Sequence, residues 1–202
     1  MTLADPNLQE LRRGLYRWTA PHPSWKPGAR PDSVGDWPGL VGCVAAETGA
    51  EVVFVDPLVP ETLWPRLDEL VAGRPVHALT TVASHRRSAQ AVLDRYGGTS
   101  DPPAGVVAVD VPAREREYWL PAFGALVVGD RVIGDGRGGL RICPASWLRG
   151  GPRPVSVAEV ADGLRPLLEL PIELVLVSHG DPVLRGGRES LARALGETGR
   201  AS

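Results

Sequence analysis

The stretch from residue 76 to residue 98 constrains the fold more than any other part of the sequence. An apolar, β-branched run over residues 76–82 predicts a buried strand. After a polar turn, apolar residues recur at the spacing of a helix: Ala89, Val92, Leu93 and Tyr96. The pair Gly97-Gly98 ends this pattern, and we expect Ser84 to cap the start of the helix. Because loops at the carboxyl ends of strands carry the chemistry of α/β folds, the turn is the first candidate site.

This turn holds a dense polar cluster, Ser84-His85-Arg86-Arg87-Ser88. Two guanidinium groups beside the free N–H groups of a helix start form a corner that binds carboxylate or phosphate. The helix dipole disfavours positive charge at that position, so the two arginines require an anionic partner. We therefore predict that Ser84, Arg86 and Arg87 bind a small anionic molecule.

The rest of the chain alternates strands with helices. Strands are predicted over residues 14–20, 40–46, 51–55, 105–111, 125–128, 131–133, 140–142 and 173–177. Helices are predicted over residues 60–72 and 188–195, and after a capping box formed by Ser156 and Glu159, with a bend at Pro166. The β–α–β–α–β order in the first half predicts an α/β sandwich.

Composition excludes several classes of protein. A chain of 202 residues with 43% hydrophobic content is the size of one domain with a substantial core. The formal net charge of −2 and the absence of a basic stripe argue against a nucleic-acid partner. No apolar run approaches the roughly 18 residues of a membrane span, and the polar N-terminus lacks a signal peptide, so we expect a cytoplasmic protein. Cys43 and Cys143 are too isolated to suggest a zinc knuckle or a disulfide framework.

Four segments together resemble the metallo-β-lactamase superfamily. In that superfamily a strand ending in Leu-Thr leads into His-x-His-x-Asp-His and a helix, and Thr80-Thr81 with the following helix match this layout. The other three segments are VVFVDPL at 52–58, ALVVGD at 125–130 and LVLVSHGDPV at 174–183. The resemblance implies a single domain over residues 1–202, a four-layer αββα sandwich with its core at about 12–195. It also implies that the loop at 21–39 lies over the active-site pocket.

The resemblance carries over only part of the metal-ligand set. Asp130 matches the aspartate that bridges two metals, and His179 matches the last histidine ligand. His85 falls on the second histidine of the motif when the alignment slides by one residue, whereas the Asp-His positions fall on Arg86-Arg87 or on Arg87-Ser88. An arginine cannot be deprotonated in a protein, so it cannot be a ligand.

We therefore expect a hydrolase-like protein with an eroded zinc site, without the two-metal centre and with no catalytic metal or cofactor. In this hypothesis the old pocket binds a small anion, or Asp130 forms an ion pair with one of the two arginines. One alternative is a one-zinc hydrolase of esters, thioesters or lactams that uses His85, Asp130 and His179. Another alternative is a non-enzymatic interaction or scaffold protein. His22 and His77 belong to no motif and are expected to be structural.

Overall fold

The computed structural model describes residues 8–149 and 153–196, and two of its sheets make up most of the fold. The strands are β1 (Gln9–Arg12), β2 (Leu15–Pro21), β3 (Leu40–Thr48), β4 (Glu51–Val55), β5 (Val76–Leu79), β6 (Val107–Val111), β7 (Glu115–Leu120), β8 (Ala125–Val128), β9 (Val132–Gly134), β10 (Leu140–Ile142) and β11 (Leu174–Val177). The α-helices are α1 (Trp64–Val71), α2 (Ala89–Tyr96), α3 (Val157–Leu164) and α4 (Gly187–Ala194). None of the helices in the described ranges is long and apolar enough to span a membrane.

The first sheet has the order β1-β2-β3-β4-β5, and the second has the order β11-β8-β7-β6. Each sheet is antiparallel except for one parallel pair, β4 with β5 in the first and β11 with β8 in the second. Strands β9 and β10 form a separate antiparallel ribbon. Parallel pairs bury both faces, which explains why β8 and β11 consist entirely of buried aliphatic residues.

Three apolar clusters fill the spaces between the layers. One lies between the two sheets and joins residues such as Val53 and Leu79 to Leu120 and Leu176. A second packs α1 and α2 on the outer face of the first sheet. A third packs α3 and α4 on the outer face of the second sheet. The order of layers is therefore helix, sheet, sheet, helix, and the predicted four-layer αββα sandwich is confirmed.

Several local predictions need correction. Strands β1 and β7 were not among the predicted strands. Helix α2 begins at Ala89, and Ser84 lies in a separate 3-10 turn over Ala83–Arg86 without a capping hydrogen bond. The capping box of α3 is present, since Ser156 Oγ accepts from Glu159 N at 3.1 Å and Glu159 Oε2 accepts from Ser156 N at 2.8 Å.

The carboxyl ends of four strands meet at one edge of the sandwich. Asp56 follows β4, Thr81 and His85 follow β5, Asp130 follows β8, and His179 follows β11. The two sheets touch here, because Gly42 N of β3 donates to Ser178 O at 2.8 Å. A Cβ atom at position 42 would lie 2.4 Å from Val177 O, so only glycine permits this approach.

Candidate metal centre

His85 is buried, with 4% of its surface exposed, and a carboxylate holds its ring. The Nδ1 atom lies 2.8 Å from Oδ2 of Asp56. Asp56 also accepts hydrogen bonds from Thr81 N at 2.8 Å and from Thr81 Oγ1 at 2.5 Å, which fixes its own orientation. Because an ionised carboxylate only accepts, Nδ1 of His85 carries a proton, and in the neutral ring the lone pair is on Nε2. A carboxylate behind the imidazole is the usual support of a histidine that ligates a metal.

Asp130 lies between two imidazole rings. Its Oδ1 atom is 3.0 Å from Nε2 of His85 and 3.1 Å from Nε2 of His179. The oxygen is buried, yet neither contact has hydrogen-bond geometry, and it has no hydrogen-bond partner among residues 8–149 and 153–196. Ligand atoms at about 2.1 Å from one zinc ion in tetrahedral geometry are about 3.4 Å apart. The Asp130 separations are close to that value, and all three donor atoms lie within 4.8 Å of one another.

His179 is held by aromatic packing. Its ring lies between the indoles of Trp37 and Trp147, with both centroids 5.4 Å away. The buried Nδ1 atom has no hydrogen-bond partner in the described part of the chain. Trp37 also contacts the ring of His22, at a centroid distance of 5.0 Å. The sequence predicted a structural role for His22, but the loop after β2 brings this histidine to the candidate site.

The environments of the two imidazoles shift their pKa values in opposite directions. Burial disfavours the charged form of His85, but the negative charges of Asp56 and Asp130 outweigh burial and raise its pKa to about 9. Burial lowers the pKa of His179, and Asp130 only partly offsets it. Burial also opposes ionisation of Asp130, but its contacts with His179 and His85 outweigh this and hold the pKa of the carboxyl well below its usual range.

Arg86 and Arg87 lie in different surroundings. Arg87 donates to Asp56 O at 3.0 Å, to Gly42 O at 3.2 Å and to Ser178 Oγ at 2.7 Å. It forms no ion pair with any described residue, so its charge is solvated by neutral acceptors only. Arg86 is exposed and lines a different cleft. The expected ion pair between Asp130 and an arginine is not formed, because Asp130 faces the two imidazoles instead.

A cleft of about 270 Å³ opens over the three donor atoms. Its walls are His22, Val34, Trp37, Ser84, His85, Arg87, Asp130, Trp147 and His179. Val34 and Trp37 come from the loop at 21–39. Trp147, which was not predicted at the site, reaches the cleft from the 3-10 helix Ala145–Arg149 and donates from Nε1 to Ser33 O at 2.9 Å. No motif spacing marks this tryptophan, because its place in the site depends on tertiary packing.

Comparison with known proteins identifies the fold. No protein-family model matches the sequence, and no curated protein matches it. Solved structures match over nearly the whole chain. A metallo-beta-lactamase from Pontibacter korlensis is 13% identical, with 95% of this chain and 98% of that chain covered and a TM-score of 0.60.

Two further structures agree with this result. A metallo beta lactamase from Erythrobacter litoralis is 13% identical, with coverage of 98% and 93% and a TM-score of 0.57. A metallo-beta-lactamase family protein from Thermus thermophilus is 14% identical, with coverage of 93% and 80% and a TM-score of 0.53. The chain therefore has the metallo-β-lactamase fold, as the resemblance implied. Identities this low establish the fold and leave activity to be argued from the site.

Proposed function

We propose that this protein is a hydrolase of the metallo-β-lactamase superfamily that uses one metal ion, held by His85, Asp130 and His179. The observation that carries the proposal is the buried Asp130 Oδ1, which lies about 3 Å from two imidazole nitrogens without a hydrogen bond to either. A carboxylate oxygen with two histidine nitrogens is a donor set that suits zinc, and three protein ligands with an open position are typical of catalytic zinc. A zinc ion held by these residues would lower the pKa of a bound water molecule to about 7 and would polarise a carbonyl group.

The surrounding residues supply orientation and charge. Asp56 keeps the Nε2 atom of His85 directed towards the cleft through its contact with Nδ1. Trp37 and Trp147 form apolar walls that exclude water and contact the acyl part of a substrate. Arg87, whose charge no described carboxylate neutralises, stabilises negative charge that develops on a substrate oxygen. A cleft of about 270 Å³ suits a small ester, thioester or lactam.

The second candidate is a protein with an eroded site that binds a small anion without a metal. The unneutralised charge of Arg87 and the raised pKa of His85 both favour an anionic occupant of the cleft. A two-metal centre is not proposed, because His85, Asp130 and His179 form the one group of three or more metal-binding side chains found within residues 8–149 and 153–196.

Metal analysis separates the two candidates. The protein is purified without chelator, its zinc per chain is measured, and it is assayed against an ester, a thioester and a lactam. We expect one zinc per chain and hydrolysis that a chelator abolishes. His179→Ala removes both. The matched control is His77→Gln, because His77 lies outside the cleft and contacts Asp101 O and Glu51. A metal-free wild-type protein that is stabilised by phosphate or citrate would establish the second candidate and refute the first.

A further inference from the structure

The turn that carries Asp130 is held by two buried glutamates of β7. Glu115 accepts from Asp130 N through Oε2 and from Arg131 N through Oε1, both at 2.9 Å. Glu117 accepts from Gly129 N at 3.1 Å. Three consecutive backbone N–H groups are thus directed at two carboxyl groups that are 2% and 0% exposed. A run of N–H groups directed at carboxyl oxygens is the geometry of an anion-binding backbone nest.

Further contacts restrict how this turn can move. The guanidinium of Arg131 lies 3.4 Å from Glu115 Oε2 and donates to Ala113 O at 3.3 Å. A Cβ atom built on Gly129 would lie 2.6 Å from Thr81 Oγ1 and 2.9 Å from Glu115 Cδ. Thr81 is the residue that also binds Asp56. The turn is therefore confined between the network that orients His85 and the carboxylate of Glu115.

We propose that Glu115 is a positioning residue for Asp130, with Glu117 supporting the same turn. A short turn between strands is ordinarily stabilised by glycine, asparagine or aspartate within the turn itself. Here two buried carboxyl groups stabilise the turn from outside, although burying a carboxyl group is unfavourable unless it forms hydrogen bonds. By fixing the N–H groups of Asp130 and Arg131, Glu115 sets where the Asp130 side chain lies relative to His85 and His179. Its effect on metal affinity rests on the function proposed above.

The test compares Glu115→Gln with Glu47→Gln in the full chain. Glutamine keeps the length of the side chain but offers one oxygen where the carboxylate offers two, so one of the two N–H groups loses its acceptor. Glu47→Gln also removes a partly buried ion pair, with Arg74 at 3.2 Å, but Glu47 lies at the end of β3 remote from Gly42 and the site. The readouts are the zinc dissociation constant at pH 7, the imidazole NMR resonances of the chelator-treated protein, and its unfolding by urea.

We expect Glu115→Gln to weaken zinc binding about 10- to 100-fold, the usual effect of removing a supporting contact of a metal site. It also shifts the imidazole resonances of His85 and His179 in the metal-free protein. Glu47→Gln lowers stability but changes zinc affinity less than twofold and leaves those resonances in place. A Glu115→Gln protein with wild-type zinc affinity, or with unshifted imidazole resonances, would overturn the proposal.

The same measurements also apply if the variant does not fold or if the wild-type protein binds no zinc. If Glu115→Gln does not fold, Gly129→Ala replaces it, because the added Cβ pushes the turn away from Thr81 and Glu115. Zinc binding weakened at least fivefold in that variant supports the proposal, and unchanged binding refutes it. If the wild-type protein binds no zinc, the one-metal function fails. The imidazole resonances of the metal-free protein then decide the positioning role of Glu115 independently.

Discussion

The two histidines of the site have the same side chain but are held in different ways. His85 is fixed by a hydrogen bond to a buried carboxylate, and its pKa is raised to about 9. His179 has no hydrogen-bond partner at Nδ1 within the described residues, is held by two indole rings, and has a lowered pKa. In the metal-free protein at pH 7, His85 is therefore charged and His179 is neutral. A metal ion at this position would have to displace a proton from His85, whereas the neutral ring of His179 would need only the tautomer with its lone pair on Nε2.

The two sheets contribute different donors and different supports to the site. The first sheet supplies His85 together with the carboxylate that orients it, through Asp56 at the end of β4. The second sheet supplies Asp130 and His179, with Asp130 held from behind by Glu115. Carboxylate support is therefore present for two of the three candidate donors, whereas the ring of His179 is flanked by two indoles and its Nδ1 atom has no hydrogen-bond partner within the described residues.

The largest expected effect comes from Asp56→Ala. This change removes the buried carboxylate that accepts from Thr81 N, Thr81 Oγ1 and His85 Nδ1, and leaves Nδ1 only the Thr81 hydroxyl at 3.1 Å. Breaking a buried network in this way costs about 3–5 kcal/mol. We expect the free energy of unfolding in urea to fall by that amount and zinc binding to be lost. Asp56→Asn, which retains one acceptor oxygen, is the control. Its free energy of unfolding should lie between those of the wild-type protein and Asp56→Ala.

The next effect is the pH dependence of the chelator-treated protein. The pKa of His85 is about 9 in the folded protein and about 6.5 when unfolded, so its protonated form stabilises the fold fully below pH 6.5. That contribution is lost as the pH rises through 9, which corresponds to about 3 kcal/mol. His179 contributes little over this range and with the opposite sign, because its lowered pKa leaves the folded ring neutral while the unfolded ring, with a pKa of about 6.5, keeps part of its proton only at the lower end. Urea unfolding at pH 6.5 and 9 measures the change, and His85→Gln should remove it. Stability that rises over this interval would contradict the assigned environment of His85.

Trp147→Ala should have a smaller effect and should act on the other histidine. The half-buried indole contacts His179 and bonds to Ser33 O, so its removal costs about 2 kcal/mol, less than for a fully buried tryptophan. The expected result is a wider NMR linewidth for the His179 ring and zinc binding weakened by less than tenfold. The His85 resonances stay where they are. Equal changes at both histidines would refute the separation of the two supports.

The smallest effect is expected for Arg86→Ala. Arg86 is exposed and lies outside the cleft of the three donor atoms, so its removal should change stability by less than about 0.5 kcal/mol and leave zinc affinity unaltered. A thermal-shift measurement with phosphate checks the remaining interpretation of this residue. If the variant loses a stabilisation by phosphate that the wild-type protein shows, Arg86 belongs to an anion site after all.

Most of the fold and all three candidate donor side chains could be predicted from the sequence. Periodicity located β3, β4, β8 and β11, and the ends of β8 and β11 pointed to Asp130 and His179. His85 could be placed only by sliding the motif alignment by one residue, and it lies in the 3-10 turn Ala83–Arg86, where a continuous helix start had been predicted. The divergence of Arg86 and Arg87 follows from that same turn, which residue spacing alone does not encode.

Strand β7 shows most clearly why the other residues of the site could not be predicted from the sequence. In an alternating pattern Glu115 and Glu117 would be assigned to solvent. Both are buried instead, and their oxygens accept hydrogen bonds from backbone N–H groups of the turn at Asp130. His22 and Trp147 likewise reach the cleft from segments whose position depends on tertiary contacts. Local sequence rules fail here at the positions that build the site, as is expected where function overrides local preference.

An anomalous-scattering experiment at the zinc absorption edge, on crystals of the zinc-treated protein, tests the central claim most directly. The account predicts one zinc peak per chain, located between His85, Asp130 and His179 and absent from crystals of His179→Ala. A map with no peak among these three residues, or with two peaks in the cleft, would contradict it.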